Sequence, residues 1–329
     1  MTHPRVYAIH ENPEWFGPFR EAFEAEGVPF TEWILDDGVL DLDAVPPEGV
    51  FWSRISASSH TRGHTLSKDY ARSVLSWLES HGRRTVNGRR VLELEVSKVD
   101  QLTALRAFGI ETPRTIAVIG TGNLLDAARD FPTPFITKHN QGGKGLSVRR
   151  FDSADELGEW IASDDFGEPQ DGITLVQEYV RAAEPTITRV EIVDGELVYA
   201  ISADTARGGF QLCPADACEI DPISGALVTP PGATIAPVEG QKLFSLRRGT
   251  TGADFEHPII DRYRAFTRAH GIEIAGIEFI ETADGRVVTY DVNTNTNYNQ
   301  DVEAVAPRSG PRQIARLLKA ALEERYPAA

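Results

Sequence analysis

Short apolar runs alternate with amphipathic segments over roughly the first ninety residues. The runs are rich in branched and aromatic residues and predict strands, whereas the segments between them carry apolar residues at helical spacing. The strand-like runs are RVYAIH, FTEWIL and GVFWSRIS, and the helical segments are EWFGPFREAFEAEG and YARSVLSWLESHG. Because strands that alternate with helices are typical of a parallel sheet, we predict an N-terminal α/β domain.

The pattern changes at Ser97. The stretch SKVDQLTALRAFG predicts a helix that begins after Ser97, whose hydroxyl can accept from the first free N–H groups. Lys98 then falls in the first turn, where the helix dipole opposes a cation. We therefore expect the Lys98 ammonium either to extend into solvent or to face an anion held at the same helix end.

Two further strand-like stretches, PFITK and LSVRRF, flank a glycine-rich loop. This loop is not a Walker P-loop, which needs G-x-x-x-x-G-K-[ST] before a helix. It is either a plain turn or a loop whose backbone N–H groups approach phosphate oxygens, with Lys138 and Lys144 supplying positive charge.

Two Asp-Gly pairs predict hairpins in the C-terminal half, one in VEIVDGELVYAI and one at Asp284-Gly285. Counting outward from a two-residue turn at Asp284-Gly285 places Glu278 opposite Asp291 and Gly276 opposite Asn293. Facing carboxylates destabilise a strand pair. Either this face is solvated, or the loop is longer and the register differs, or a hard divalent cation such as Mg²⁺ binds the oxygen ligands.

Composition narrows the class of protein. The chain has 33 Lys and Arg against 49 Asp and Glu, a net charge of −16, which argues against nucleic acid or an anionic membrane as the partner but allows a nucleotide carried with a metal. Cys213 and Cys218 lack the further ligands of a zinc site, and we expect reduced thiols. With no targeting segment and no apolar run of about 18 residues, we expect a soluble cytoplasmic protein.

Taken together, these pieces resemble the ATP-grasp superfamily of carboxylate–amine ligases over about residues 85–325, and they are most similar to the ribosomal-protein glutamate ligase-like branch. The motifs that carry the resemblance are Asn-Gly followed by S-K-x-x-Q-L, a strand ending in Lys before a glycine loop, V-Q-E-Y-V, a T-R-V strand, and an acid thirteen residues before D-x-N.

The resemblance implies an α/β (α+β) fold of three lobes. These would be an N-terminal parallel-sheet domain over residues 1–95, a central lobe over 96–180 and a C-terminal lobe over 181–329 that holds the metal site. ATP would bind between the central and C-terminal lobes. The resemblance further implies a reaction in which ATP phosphorylates a carboxylate and an amine attacks the acylphosphate, releasing ADP and phosphate.

Roles for individual residues follow from the same resemblance. Lys98 and Lys138 would contact the α- and β-phosphates, the glycine loop would cover the nucleotide, a hinge would read the adenine edge and Glu184 would bond the ribose. The expected ATP-binding residues are Lys98, Lys138, Gly142, Gly143, Lys144, Gly145, Gln177, Glu178, Tyr179, Val180 and Glu184. Two Mg²⁺ ions, with Mn²⁺ as a substitute, would be held by Glu278, Asp291 and Asn293.

The sequence departs from the family around the substrate. Glu278 and Asp291 exchange the usual acids, and Asn293-Thr294-Asn295-Thr296 replaces N-x-S-P. The catalytic candidates are Arg189 and Arg207, and the candidates for substrate binding are Arg54, His60, Arg62 and Asn295, although a solvated loop also explains residues 53–64. The expected partners are a small-molecule carboxylate and an amine, or a peptide, and a homo-oligomer is left open. Two other functions remain: phosphorylation of a hydroxyl, and nucleotide-dependent regulation without turnover.

Overall fold

A computed structural model describes residues 3–143, 145, 147–208, 243–249 and 254–327 of the chain. Lys144, Cys213 and Cys218, for which the sequence led to expectations, lie outside the described residues. The backbone of Arg207 is described but its side chain is not.

The N-terminal segment forms a parallel four-stranded sheet with helices between its strands, which confirms the prediction from the alternating pattern. The strand order is β2-β1-β3-β4. Its elements are β1 (Arg5–His10), α1 (Gly17–Glu26), β2 (Phe30–Ile34), β3 (Gly49–Ser53), α2 (Ser67–Ser80) and β4 (Arg84–Val86).

An antiparallel sheet of order β5-β8-β6-β7 follows after two helices. Ser97 caps the second of these helices by accepting from Asp100 N at 3.2 Å, as predicted. The glycine loop connects β6 and β7. The elements are α3 (Arg89–Glu95), α4 (Lys98–Ala107), β5 (Thr115–Ile119), α5 (Leu124–Arg129), β6 (Phe135–His139), β7 (Arg149–Phe151), α6 (Ala154–Ile161) and β8 (Ile173–Glu178).

The third sheet is antiparallel, with the order β11-β10-β9-β12-β13. The predicted two-residue turn at Asp194-Gly195 joins β9 to β10, and both residues have positive φ, 53° and 74°. The elements are β9 (Thr186–Val193), β10 (Glu196–Asp204), α7 (Thr205–Gly208), β11 (Phe244–Arg247), α8 (Ile259–His270), β12 (Ile274–Glu281), β13 (Val287–Asn293), α9 (Gln300–Glu303) and α10 (Gly310–Arg325).

The hairpin between β12 and β13 has the predicted pairing near its base but a different turn. Thr282 N donates to the Arg286 carbonyl, so the loop contains three residues and ends on Gly285 at φ 85°. The predicted two-residue loop is therefore wrong. A bulge next to Glu278 shifts the register back by one residue, so that Glu278 still faces Asp291 and Gly276 still faces Asn293.

The core joins the first and last parts of the chain. Helix α10 packs against α1 and β3, and Phe19 of α1 makes an edge contact with Tyr298, with ring centroids 5.9 Å apart. Phe16 and Trp52 belong to the same buried cluster. This packing fixes the segment after β13 against the N-terminal sheet. No helix among the described residues combines the length and apolar character needed to cross a membrane.

Candidate active site

A cavity of about 450 Å³ is lined by strand residues of the second and third sheets and by residues of the segments outside the strands, including some of the N-terminal domain. It contains most of the residues that the sequence predicted as a site. Those that line it are Lys98, Lys138, Gly142, Gly143, Gly145, Gln177, Glu178, Tyr179, Val180, Arg189, Glu278, Asp291, Asn293 and Asn295.

Two buried cations offset the two opposed carboxylates. Lys98, in the first turn of α4, donates its ammonium to Asp291 Oδ1. Arg189 Nη1 donates to Glu278 Oε1 at 3.1 Å, and Tyr290 donates its hydroxyl to Glu278 Oε2 at 2.8 Å. The anion that faces Lys98 is therefore a carboxylate of β13, and each of the two opposed acids has a cation as its partner.

Burial and neighbouring charges shift the pKa values of the ionisable groups in the cavity in different directions. Burial raises the pKa of Glu278, and the neighbouring Asp291 raises it further, although Arg189 opposes both. Burial would also raise the pKa of Asp291, but Lys98 and Lys138 outweigh that effect and lower it. Burial, together with the charge of Lys98, lowers the pKa of Lys138 to about 8. An anion bound beside Lys138 would favour its charged form.

Hydrogen bonds hold the side chain of Arg189 in the wall of the cavity. Its Nε donates to Glu191 Oε1 at 2.6 Å and its Nη2 to Thr296 Oγ1 at 2.6 Å, while the Thr296 hydroxyl donates to Glu191 Oε2 at 2.7 Å. The guanidinium lies over Gly276, where a Cβ atom would come within 2.3 Å of Nη2. Sequence reasoning missed Glu191, although its position two residues after Arg189 on a strand places both on one face.

Glu95 at the end of α3 is a second residue that sequence reasoning missed. Its carboxylate accepts from both the backbone N–H and the hydroxyl of Thr294, at 2.6 and 2.9 Å. Burial raises the pKa of Glu95, against the effect of Lys98. This contact joins α3 to the segment that follows the predicted metal ligands.

Apolar side chains line part of the cavity, and one of them belongs to Ile136, which pairs with Gln177 near the end of β8. Ile136, Val148, Ile187 and Ile280 contribute to its walls. The adjoining Glu178 has its carboxylate occupied, because it accepts from Arg286 Nη1 at 2.8 Å and from the Arg114 N–H at 3.0 Å. An apolar slot of this kind, beside the end of a strand, can accept a flat aromatic base.

Four predicted residues lie outside the cavity lining. Glu184 is exposed. Arg62 forms an ion pair with Glu11, and His60 Nδ1 lies 3.5 Å from Lys68 Nζ. Arg54 is only 2% exposed and donates to Asn297.

On the N-terminal side the cavity is lined by residues that were not predicted, namely Trp15, Ser56, Ser58 and Asn297. The alternation of Asn and Thr from Asn293 to Asn297 was the signal that could have identified Asn297, since Asn293 and Asn295 were already candidates.

The donor set fits a hard cation that shares its coordination with a ligand. Among the described residues, no three or more His, Cys, Asp and Glu side chains form a metal-binding group. The cavity offers two carboxylates, Glu278 and Asp291, and the Asn293 amide beside them. Mg²⁺ commonly takes one or two carboxylates and completes its octahedron with water and substrate phosphates, so these residues suit it.

No family model and no curated protein matches the chain. Solved structures do match over nearly its whole length. A RimK-domain ATP-grasp protein from Sphaerobacter thermophilus is 15% identical, with a TM-score of 0.62, over 95% of this chain and 98% of that chain. The ATP-grasp ligase PsnB, in complex with a minimal precursor, Mg and ADP, is 16% identical, with a TM-score of 0.61, over 97% and 98% of the two chains.

A third similar structure is D-alanyl-alanine synthetase A from Vibrio cholerae, which is 13% identical with a TM-score of 0.65, over 98% of this chain and 99% of that chain. At these identities the comparison concerns the fold. It confirms the mixed α/β architecture inferred from the motifs around Lys98, Lys138 and Asp291. The chain has the ATP-grasp fold.

Proposed function

We propose that the protein is an ATP-dependent ligase that joins a carboxylate to an amine through an acylphosphate and releases ADP and phosphate. One observation carries the proposal. Three cations, Lys98, Lys138 and Arg189, meet two opposed carboxylates in one cavity beside an apolar slot. This arrangement suits ATP. Its base would occupy the slot, and the negative charges of its phosphates would be offset by the lysines and by a metal ion that the acids would hold.

Binding of ATP would exchange ion partners within the cavity. Lys98 would leave Asp291 and, with Lys138, bind phosphate oxygens, which would favour the charged form of Lys138 that burial disfavours. Glu278, Asp291 and Asn293 would hold Mg²⁺, which when bound would supply positive charge to offset that of the transferred group. Arg189 keeps its contacts with Glu191 and Thr296, so its guanidinium stays in place to stabilise the phosphoryl group in transfer.

The glycine loop would exclude water from the transfer. A Cβ atom on Gly142 would lie 2.9 Å from Ser147 Oγ, and one on Gly143 would lie 3.1 Å from Ser58 Cβ. The backbone at Gly143 thus lies close to the N-terminal domain, and a larger residue at this position would hold it away. An acylphosphate is hydrolysed by water, so a closed loop favours attack by the amine.

The partners we propose are a small-molecule carboxylate and an amine, which is either a small molecule or a peptide. Among the similar structures, one is named as a D-alanyl-alanine synthetase and one is bound to a precursor. Both kinds of partner are therefore represented on this fold.

A hydroxamate assay tests the reaction class. Acids are screened with ATP, magnesium and hydroxylamine, which is small enough to enter where the amine does. A ligase gives a hydroxamate in step with ADP, a hydroxyl phosphotransferase gives ADP alone, and a nucleotide-binding regulator gives neither. Release of AMP and pyrophosphate would contradict transfer of the γ-phosphoryl group.

A further inference from the structure

Arg54 is a buried arginine without a carboxylate partner. It follows β3, is 2% exposed, and has no Asp or Glu side chain within ion-pair distance among the described residues. Its Nε is buried and makes no hydrogen bond to a described residue. Burial lowers the pKa of Arg54 to about 10, so the group still carries its charge at neutral pH. A buried charge of this kind is unfavourable unless an anion compensates it.

The acids near Arg54 are already engaged. Glu11 and Glu32 are the carboxylates that act on it, and they form ion pairs with Arg62 and Arg20 respectively. Three arginines therefore share two glutamates, which leaves one positive charge in excess. Phe19 lies over the guanidinium at 4.4 Å and shields it from solvent.

Asn297 connects this charge to the cavity. Arg54 Nη2 donates to Asn297 Oδ1 at 2.9 Å. A guanidinium only donates, so the Asn297 oxygen must face Arg54 and the amide nitrogen must face away from it. Asn297 lines the cavity, and none of the described residues accepts a hydrogen bond from its Nδ2. The amide thus presents two N–H donors to a ligand, with a positive charge behind them.

We propose that Asn297 and Arg54 form an anion subsite that takes a carboxylate oxygen of a substrate, with Asn297 Nδ2 as the direct donor and Arg54 as the compensating charge. The subsite rests on the proposed function only in that the ligand is called a substrate. Arg62, the other arginine predicted to bind substrate, is not part of this subsite, because it is neutralised by Glu11 and donates its Nη1 to Ser58.

The test uses acetate as the probe and acetamide as its uncharged isostere, without ATP. Thermal unfolding is measured at about 100 mM probe, with acetate replacing chloride at constant ionic strength. The variants are Asn297→Asp, which supplies Arg54 with a carboxylate and repels an anion, and Asn299→Asp. The second is a matched control, because Asn299 caps α9 through its Oδ1 and Asp caps equally well.

We expect acetate to raise the unfolding midpoints of the wild type and of Asn299→Asp by about 2–4 °C more than it raises the midpoint of Asn297→Asp. Acetamide should raise the midpoint of none of the three proteins. Asn297→Asp should also have the highest midpoint without probe. Arg54→Met should lose the acetate-specific shift. Equal acetate shifts in the wild type and Asn297→Asp would overturn the subsite.

A second measurement separates a carboxylate from a phosphate. Binding of a non-hydrolysable ATP analogue with magnesium should change by less than about twofold in Asn297→Asp. A tenfold loss would assign the anion to ATP and overturn the proposal. The acetate experiment needs no turnover, so failure of the hydroxamate assay would reject the ligase reaction without rejecting the subsite.

Discussion

Asp291 and Glu278 face each other, but removing their charges should have different effects. From the pairing alone, loss of either charge would relieve repulsion. In the folded protein Asp291 is the ion partner of Lys98, which is 7% exposed, so Asp291→Asn leaves a buried ammonium without that partner. Glu278→Gln leaves Arg189 paired with Glu191.

We therefore expect Asp291→Asn to lower the free energy of unfolding by about 3 kcal/mol and Glu278→Gln by about 1 kcal/mol. Both variants should lose ATP turnover by at least about 100-fold, because each removes a proposed metal ligand. Denaturant titration of the metal-free protein and an ADP-release assay measure the two effects. Equal stabilities, or turnover at the wild-type level, would contradict this assignment.

Thr296 tests whether the position of Arg189 matters for transfer. Its hydroxyl accepts from Arg189 and donates to Glu191, and Thr296→Val removes both bonds without changing the shape of the side chain. We expect kcat to fall about tenfold with little change in KM for ATP, because the guanidinium is held for the transition state. Thr296→Ser keeps the hydroxyl and should stay close to wild type. A change in KM alone would indicate a role in binding.

At the scale of elements, the sequence predicted the pairing of β12 with β13 correctly from an incorrect turn. Asp284-Gly285 favours a two-residue loop, but the hairpin uses three residues and recovers the register with a bulge beside Glu278. The extra loop residue and the bulge offset each other, so the predicted pairing of Glu278 with Asp291 is kept. Local turn preference could not show the bulge, which lies within the strands and at which the neighbouring residues Tyr290 and Asp291 both line the cavity.

Gly276 is required where β12 passes beneath Arg189. A Cβ atom there would lie 2.3 Å from Nη2 and 2.6 Å from the central guanidinium carbon. Gly276→Ala should displace the guanidinium from Glu191 and lower turnover by at least about tenfold while the protein still folds. The neighbouring change Ala275→Gly is the control, expected to cost about 1 kcal/mol of stability but no turnover. Equal turnover in the two variants would show that Arg189 has room to move.

At the scale of the whole molecule, the limits of sequence reasoning lie where separate parts of the chain meet. Local sequence patterns predict the helix that begins with Lys98, the strand that ends near Lys138, and the acids Glu278 and Asp291. All four residues line the cavity. Arg54 and Arg62 also stood out in the sequence. Their partners, Asn297 and Glu11, could not be predicted, because they come from distant segments and from the packing of α1 and α10 on the N-terminal sheet.

His10 links the stability of the whole molecule to pH. It ends β1, is 1% exposed and stacks on Phe16 with ring centroids 4.8 Å apart. Burial, and next the charge of Arg54, lowers the pKa of His10 to about 3. Glu32 lies 3.3 Å from Nε2, but it is the ion partner of Arg20 and makes no hydrogen bond to the ring, so the neutral form prevails.

Because the unfolded chain binds a proton at His10 near pH 6.5 and the folded protein does not, the free energy of unfolding should fall as pH decreases below that value. Between pH 7.5 and 5.5, His10 alone should account for about 1.4 kcal/mol of this loss. His10→Phe keeps the ring contact with Phe16 and removes the titration, so its stability should fall by that much less over the same range. His81→Phe, at an exposed site, is the control and should follow the wild type. Parallel pH profiles for the wild type and His10→Phe, measured by denaturant titration, would mean that His10 accepts its proton in the folded protein.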